Sequence, residues 1–193
     1  CVEKLIQAGI SKEQGVVALT GGTGGVGSIA IRLLSTLGFE VHAITRKPES
    51  IDFLKSLGAS EVVMLEDFMD DSKKPMLKPL YAAGIDVAGG ATLSSMLKYV
   101  GYQGAVACCG LVDSPQLNTT VLPFILRGVT LAGVDSVELP LDKKVSLWNK
   151  ISDEWQLDDI EGGCNEIGLA GLPEALNEIL DGKAIGRYIL KHD

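Results

Sequence analysis

The stretch "GVVALTGGTGGVGSIAIRLL", residues 15–34, constrains the fold of this chain more than any other. Residues 15–20 form a short, almost wholly apolar run, as expected of a central parallel strand covered on both faces. Five glycines fall within the next seven residues. Val26, Ile29, Ala30, Leu33, Leu34 and Leu37 then recur at helical spacing until Gly38 stops the helix. Within the turn, Gly22, Gly24 and Gly27 satisfy G-x-G-x-x-G. The first glycine permits a sharp turn, the second lets a pyrophosphate approach the main chain, and the third lets helix and strand pack closely. The first N–H groups of the helix lack intrahelical acceptors and carry a partial positive charge. Gly22, Thr23, Gly24, Gly25, Val26 and Gly27 are therefore a candidate phosphate cradle. A plain tight turn is the competing reading of the same glycines.

The rest of the chain repeats that alternation. Apolar runs at 40–45, 61–65, 84–89, 104–110 and 128–134 read as five further strands. Helices are expected at 48–58, between Pro48 and Gly58, and at 91–100, with a partly helical surface crossover over 66–78. A leading helix over 1–9 should bury Val2, Leu5 and Ile6. The expected fold is α/β: a Rossmann-type, doubly wound six-stranded parallel sheet with helices on both faces. Beyond Val137 the pattern changes. An amphipathic helix over 141–155 should lay Leu141, Val145, Trp148 and Ile151 on the sheet. A second helix is expected at 172–183, and 184–191 reads as a strand that the parallel sheet does not need. The chain accordingly divides into a nucleotide-binding domain over 1–163 and a C-terminal helix–strand tail over 164–193.

Which dinucleotide binds is decided at the end of the second strand. NAD-binding versions place an acid there to accept the ribose 2′-hydroxyl. This chain offers Thr45, Arg46 and Lys47, with no acid before Glu49. A hydroxyl and two cations suit a 2′-phosphate, which favours NADP(H). The competing reading is a solvated loop pair. The formal net charge of −8 makes nucleic acid or an anionic membrane a poor partner, so an anionic ligand must be drawn by a local cluster. Cys1, Cys108, Cys109 and Cys164 show neither zinc spacing nor a disulfide framework, and no apolar run is long enough to span a bilayer. A cytoplasmic setting is expected.

Several chemistries lack their residues. Thr20, Gly21, Gly25 and Gly27 also satisfy T-G-x-x-x-G-x-G, but no tyrosine has lysine four positions on; Tyr188 has His192. No G-x-S-x-G elbow occurs, and His42 lies within a strand as a packing residue. Cys108 and Cys109 follow an apolar strand and read as small core residues. No catalytic side chain and no metal site are assigned. Hydride transfer asks little of the protein beyond position, because the cofactor carries the chemistry.

Across nearly all its length the chain resembles the nucleotide-binding half of a zinc-independent medium-chain dehydrogenase/reductase of the quinone oxidoreductase type, in its acrylyl-CoA reductase branch. The segments "TGGTGGVGSIAIRLLSTLGFEV", "FLKSLGASEV", "GIDVAGG", "LNTTVLPFILRGVTLAGVDSV" and "EIGLAGLPEALNEILDGKAIGRYILK" carry the resemblance. Thr45-Arg46-Lys47 stands where the family often has Ser-Gly-Arg, and "DVAGG" replaces "DTVGG". The resemblance implies that Thr23 to Gly27 hold the pyrophosphate and Thr45, Arg46 and Lys47 the 2′-phosphate. It places Leu111 near the nicotinamide, with Ile125 and Ser136 as further contacts. It also implies a GroES-like domain preceding Cys1, to which the last strand returns, and a homodimer through the sheet-edge strand near 129–137. The implied function is NADPH-dependent reduction of an activated C=C bond, in an enoyl-CoA such as acryloyl-CoA, or of a quinone. A non-catalytic NADP(H)-sensing or scaffold module is the alternative.

Overall fold

The computed structural model describes residues 1–157 and 163–192. Six strands form one parallel sheet: β1 (Val17–Thr20), β2 (Val41–Thr45), β3 (Glu61–Met64), β4 (Tyr81–Asp86), β5 (Val100–Cys108) and β6 (Thr130–Gly133). Their order is β3-β2-β1-β4-β5-β6. The helices are α1 (Val2–Gln7), α2 (Gly25–Thr36), α3 (Ile51–Ser56), α4 (Leu65–Phe68), α5 (Gly90–Tyr99), α6 (Leu122–Arg127), α7 (Leu141–Asp153) and α8 (Leu172–Leu180). This is the doubly wound Rossmann-type α/β fold, and the order reverses between β1 and β4. A ligand crevice forms at such a switch point, beyond the carboxyl ends of the strands.

Strand alternation sorts the core into two layers. Val17, Leu19, Ala43, Ala83, Ile85, Ala105 and Ala107 face α1, α2 and α3 through Leu5, Ile31, Leu34 and Leu54. Ala18, Ile44 and Val106 face α4, α5 and α6 through Phe68, Leu93, Met96 and Phe124. Small residues in the strands admit large ones from the helices: a Cβ on Gly84 would lie 2.2 Å from Met96 Sδ.

Three expectations need correction. β4 runs Tyr81–Asp86, not 84–89, because it starts beside Val100 and ends where the Asp86 carboxylate binds the turn. Ile6 is partly exposed, while Val2 and Leu5 are buried. The apolar stripe of α7 does not lie on the sheet: Leu141, Val145 and Trp148 are exposed, and only Ile151 packs on the core. The reason is that α1 already lies against β5 on that face. α7 therefore docks on α1 by its last turn, where Lys150 Nζ donates to both Glu3 oxygens at 2.8 and 3.0 Å. The following Trp155 is 6 % exposed and belongs to the core.

The last strand, β8 (Arg187–Leu190), does find a partner. It pairs in parallel with β7 (Cys164–Ile167), a strand absent from the sequence reading. No helix among the described residues is long and apolar enough to cross a membrane.

Candidate functional site

The glycine loop leaves β1 at the switch point. Gly21 has φ +64, a conformation L side chains rarely adopt, and Gly24 N donates to Gly21 O at 3.0 Å to close the turn. At Gly27 a Cβ would lie 2.3 Å from the Gly21 carbonyl oxygen, so loop and helix touch through bare backbone. Gly24 is different. Its φ is −86, and a Cβ there would meet only Gly21 O, at 3.5 Å. No neighbour in the chain requires glycine at that position. What its missing side chain preserves is open space. Gly24, Gly25 and Val26 are exposed at the mouth of the twelve-residue α2, whose first turn carries no acid. A bare crest over unpaired helix N–H groups fits a pyrophosphate.

Beneath the crest, the ends of β1 and β4 are tied by a fully buried carboxylate. Thr20 Oγ1 donates to Asp86 at 2.8 Å and accepts from Val87 N at 3.0 Å, while Gly89 N donates to Asp86 at 2.7 Å. Burial pushes the Asp86 carboxyl above the ordinary carboxylate range, although the Gly89 and Ala88 amides and the Thr20 hydroxyl act against it. This pair sets the floor of the crevice. Sequence reading missed it, since an Asp inside an apolar run announces nothing of a threonine 66 positions away.

At the end of β2, Thr45 is buried. Its hydroxyl accepts from Lys47 N at 3.0 Å and lies 3.1 Å from Ser50 Oγ. Thr45 thus shapes the corner from within, whereas Arg46 is exposed and Lys47 half-buried. Lys47 Nζ lies 3.4 Å from Thr23 Oγ1 and donates to the Ala184 carbonyl. Desolvation pulls its ammonium pKa below the ordinary lysine value; Arg46 adds to this and Glu49 opposes it. The corner and the glycine loop are therefore in direct contact.

Leu111 follows β5 and is exposed, with its Cα 3.3 Å from where a Cβ on Gly89 would lie. Ser136 is exposed just beyond β6, at the same end of the sheet. Ile125 is exposed on α6, a helix fixed through Arg127 to the carbonyls of Lys98 and Val100 at the opposite end of β5. The glycine loop, the 45–47 corner, Leu111 and Ser136 thus share the carboxyl end of the sheet, and Ile125 lies on the helix that precedes β6.

Two thiols lie nearby. Cys108 and Cys109 are partly buried, and desolvation raises both above the ordinary thiol pKa. His42 is mostly buried on β2, edge-on to Tyr81 at 5.8 Å between ring centres, with Nε2 3.4 Å from a Glu61 carboxylate oxygen and 3.6 Å from one of Glu40. Among the described residues no group of three or more His, Cys, Asp or Glu is placed to hold a metal ion. The turn before β8 also reaches the loop: Gly186 N donates to Thr23 O at 2.8 Å, and Arg187 to the Gly25 carbonyl.

Known proteins share this fold. The family of zinc-binding dehydrogenases matches residues 25–150. An acrylyl-CoA reductase, AcuI, of Ruegeria pomeroyi is 37% identical over 94% of this chain and 55% of its own length. Among solved structures, the yhdH oxidoreductase of Salmonella enterica in complex with NADP superposes with a TM-score of 0.92 at 37% identity, covering 100% of this chain and 59% of that one. The yhfP protein of Bacillus subtilis with NAD bound gives 0.92 at 41% identity, covering 99% and 58%. The chain spans somewhat more than half the length of these relatives. A Rossmann-type sheet with a glycine crest at its switch point, matched by sequence over most of the same stretch, places this chain in the zinc-binding dehydrogenase family.

Proposed function

We propose that this chain is the cofactor-binding part of an NADPH-dependent reductase acting on an activated C=C bond, as in an acryloyl-CoA-like enoyl thioester, or on a quinone. The observation that carries the reading is the direct contact between a bare glycine crest and an acid-free cationic corner, through Lys47 and Thr23. Gly24 and Gly25 leave room for the pyrophosphate, and the amides of the first α2 turn receive it. Arg46 and Lys47 receive the 2′-phosphate, with Thr45 and Ser50 bracing the turn that presents them. Bound NADPH supplies a hydride to the acceptor. Leu111 and Ser136 border the edge of the crevice where the nicotinamide half would lie, and Ile125 is a peripheral contact. The relatives named above support the substrate class.

Side-by-side fluorescence titration of the intact protein with NADPH and NADH tests the reading. NADPH should bind at least tenfold tighter, since a phosphate held by two cations gains about 1.5–3 kcal/mol per charged hydrogen bond. Equal binding, or preference for NADH, overturns the 2′-phosphate assignment. NADPH oxidation driven by acryloyl-CoA or a quinone tests the substrate; no turnover with either favours a sensing module. A homodimer through β6 and a cytoplasmic setting complete the proposal. The second is supported by a cysteine spacing that suits no disulfide framework.

A further inference from the structure

A second helix mouth borders the crevice besides that of α2. The ten-residue α5 opens at Gly90, just after β4, at the carboxyl end of the sheet. Its first turn, like that of α2, contains no acid. An acid reaches it from elsewhere. A Cβ on Gly90 would lie 2.4 Å from Asp113 Oδ2 and 3.0 Å from Asp113 Cγ, so a carboxylate from the segment after β5 rests on the first residue of α5.

The backbone holds it there. Asp113 N donates to Ala88 O at 2.8 Å, and Ser114 forms a parallel bridge with Gly89. A Cβ on Gly110 would sit 2.0 Å from the Val87 carbonyl oxygen, and one on Gly89 2.4 Å from that of Ser114. Gly89 and Gly90 have φ +72 and +57, which L side chains rarely adopt. Residues 110–114 are thus locked onto the 87–90 turn through bare backbone. The charge is felt beneath that turn: Asp86, raised chiefly by burial, is raised further by Asp113.

Leu111, in the same segment, borders the part of the crevice assigned to the nicotinamide half. Passage of a hydride from NADPH to an acceptor leaves one positive charge on that ring. An open helix mouth alongside would oppose the charge, since a helix N-terminus carries roughly half a positive charge. A carboxylate seated on the mouth cancels that end and leaves a negative field. The two helix mouths are then unlike. That of α2 is bare and suits a phosphate, whereas that of α5 is compensated and suits a ring that becomes a cation.

We propose that Asp113 sets the preference of the site for the oxidation state of its cofactor: the carboxylate on α5 favours the cationic ring of NADP⁺ over the neutral ring of NADPH, and so promotes hydride release. The proposal rests on the dinucleotide reading given above. It differs from a purely structural role for Asp113 in acting on one form of the cofactor more than on the other.

Calorimetric titration of the intact protein with NADP⁺ and with NADPH gives the ratio of the two dissociation constants, wild type against Asp113→Asn. That substitution keeps the shape of the side chain and removes its charge. NADP⁺ should weaken relative to NADPH by at least about twofold, as for a unit charge removed from an exposed helix end. Asp113→Ser, a smaller neutral variant, should move the ratio in the same direction, and it carries the test if Asp113→Asn fails to fold. A ratio that moves by less than about twofold, or the other way, overturns the proposal. Equal losses for both forms leave the ratio unchanged, mark Asp113 as a clasp of the two turns only, and overturn it as well. A wild-type protein that binds neither form overturns the dinucleotide reading itself, and this proposal with it.

Discussion

Gly24 and Gly27 occupy neighbouring positions in one motif, yet physics holds them to it for unlike reasons. A methyl group at Gly27 would strike the Gly21 carbonyl at 2.3 Å, whereas at Gly24 it meets nothing nearer than 3.5 Å. Gly27→Ala should therefore cost about 2–3 kcal/mol of stability by urea unfolding. Gly24→Ala should stay within about 1 kcal/mol of wild type while weakening NADPH binding at least tenfold. A Gly24→Ala variant with unchanged affinity would remove the crest from the cofactor site. Ser28, next along α2, is 3 % exposed, and its hydroxyl is without a partner among the described residues. Ser28→Ala removes an unmet donor and should be neutral or stabilising by up to about 1 kcal/mol. Asp86 adds a pH signature. Its pKa is raised in the folded state, so the native chain keeps a proton that the unfolded chain gives up. Its contribution to stability therefore declines as pH rises from the ordinary carboxylate range through the raised value. Asp70, held down by Lys98, contributes the opposite slope below that range. Subtracting the unfolding profile of Asp86→Asn from that of wild type isolates the buried group, and a flat difference would contradict the shift.

Elements whose signal is local were legible in the sequence. β1, the glycine turn and α2 follow from an apolar run, five glycines and a helical stripe inside twenty-odd residues. The Arg46–Lys47 corner was legible for the same reason, because its place is fixed by where β2 ends. α7 shows where such reading stops: periodicity names an apolar face but not what covers it, and α1 had already taken the space beside β5. β7 was missed because its four residues include Asn165 and Glu166 and its two ends are only half-buried, leaving no apolar run to notice. Arg187 was missed because its place depends on contacts with a loop 162 residues earlier. The anchoring of α7 gives a prediction at this scale. Trp155→Ala should cost this chain about 3–5 kcal/mol, as loss of a buried aromatic does. Trp148→Ala, at 69 % exposure, should change its stability by no more than about 0.5 kcal/mol. Equal effects in chemical denaturation would mean that α7 lies on the sheet after all.

At the scale of the whole molecule, the two free edges of the sheet differ in the way that decides association. β3 opens on the exposed Glu61 and runs into α4 with Glu66 and Asp67 in its first turn, a charged edge that discourages strand pairing. β6 and its flanks, residues 128–134, carry no charge at all. An uncharged edge strand is a template for another strand. Two copies of β6 related by a two-fold axis would join two six-stranded sheets into one, with each edge satisfying the other. Thr130 and Gly133 are exposed on that edge, and a Cβ on Gly133 meets nothing within 4 Å, so side chains fit there without disturbing the protomer. The double variant Thr130→Glu, Gly133→Glu would set four like charges around the axis, at a cost of several kcal/mol to pairing. Sedimentation velocity at micromolar concentration should find the intact wild-type protein dimeric and the double variant monomeric. Affinity for 2′-AMP, which carries the 2′-phosphate alone, should persist in the variant, since the 45–47 corner lies on the other side of the switch point from β6. A wild-type monomer, or a variant that remains dimeric, places the association surface elsewhere.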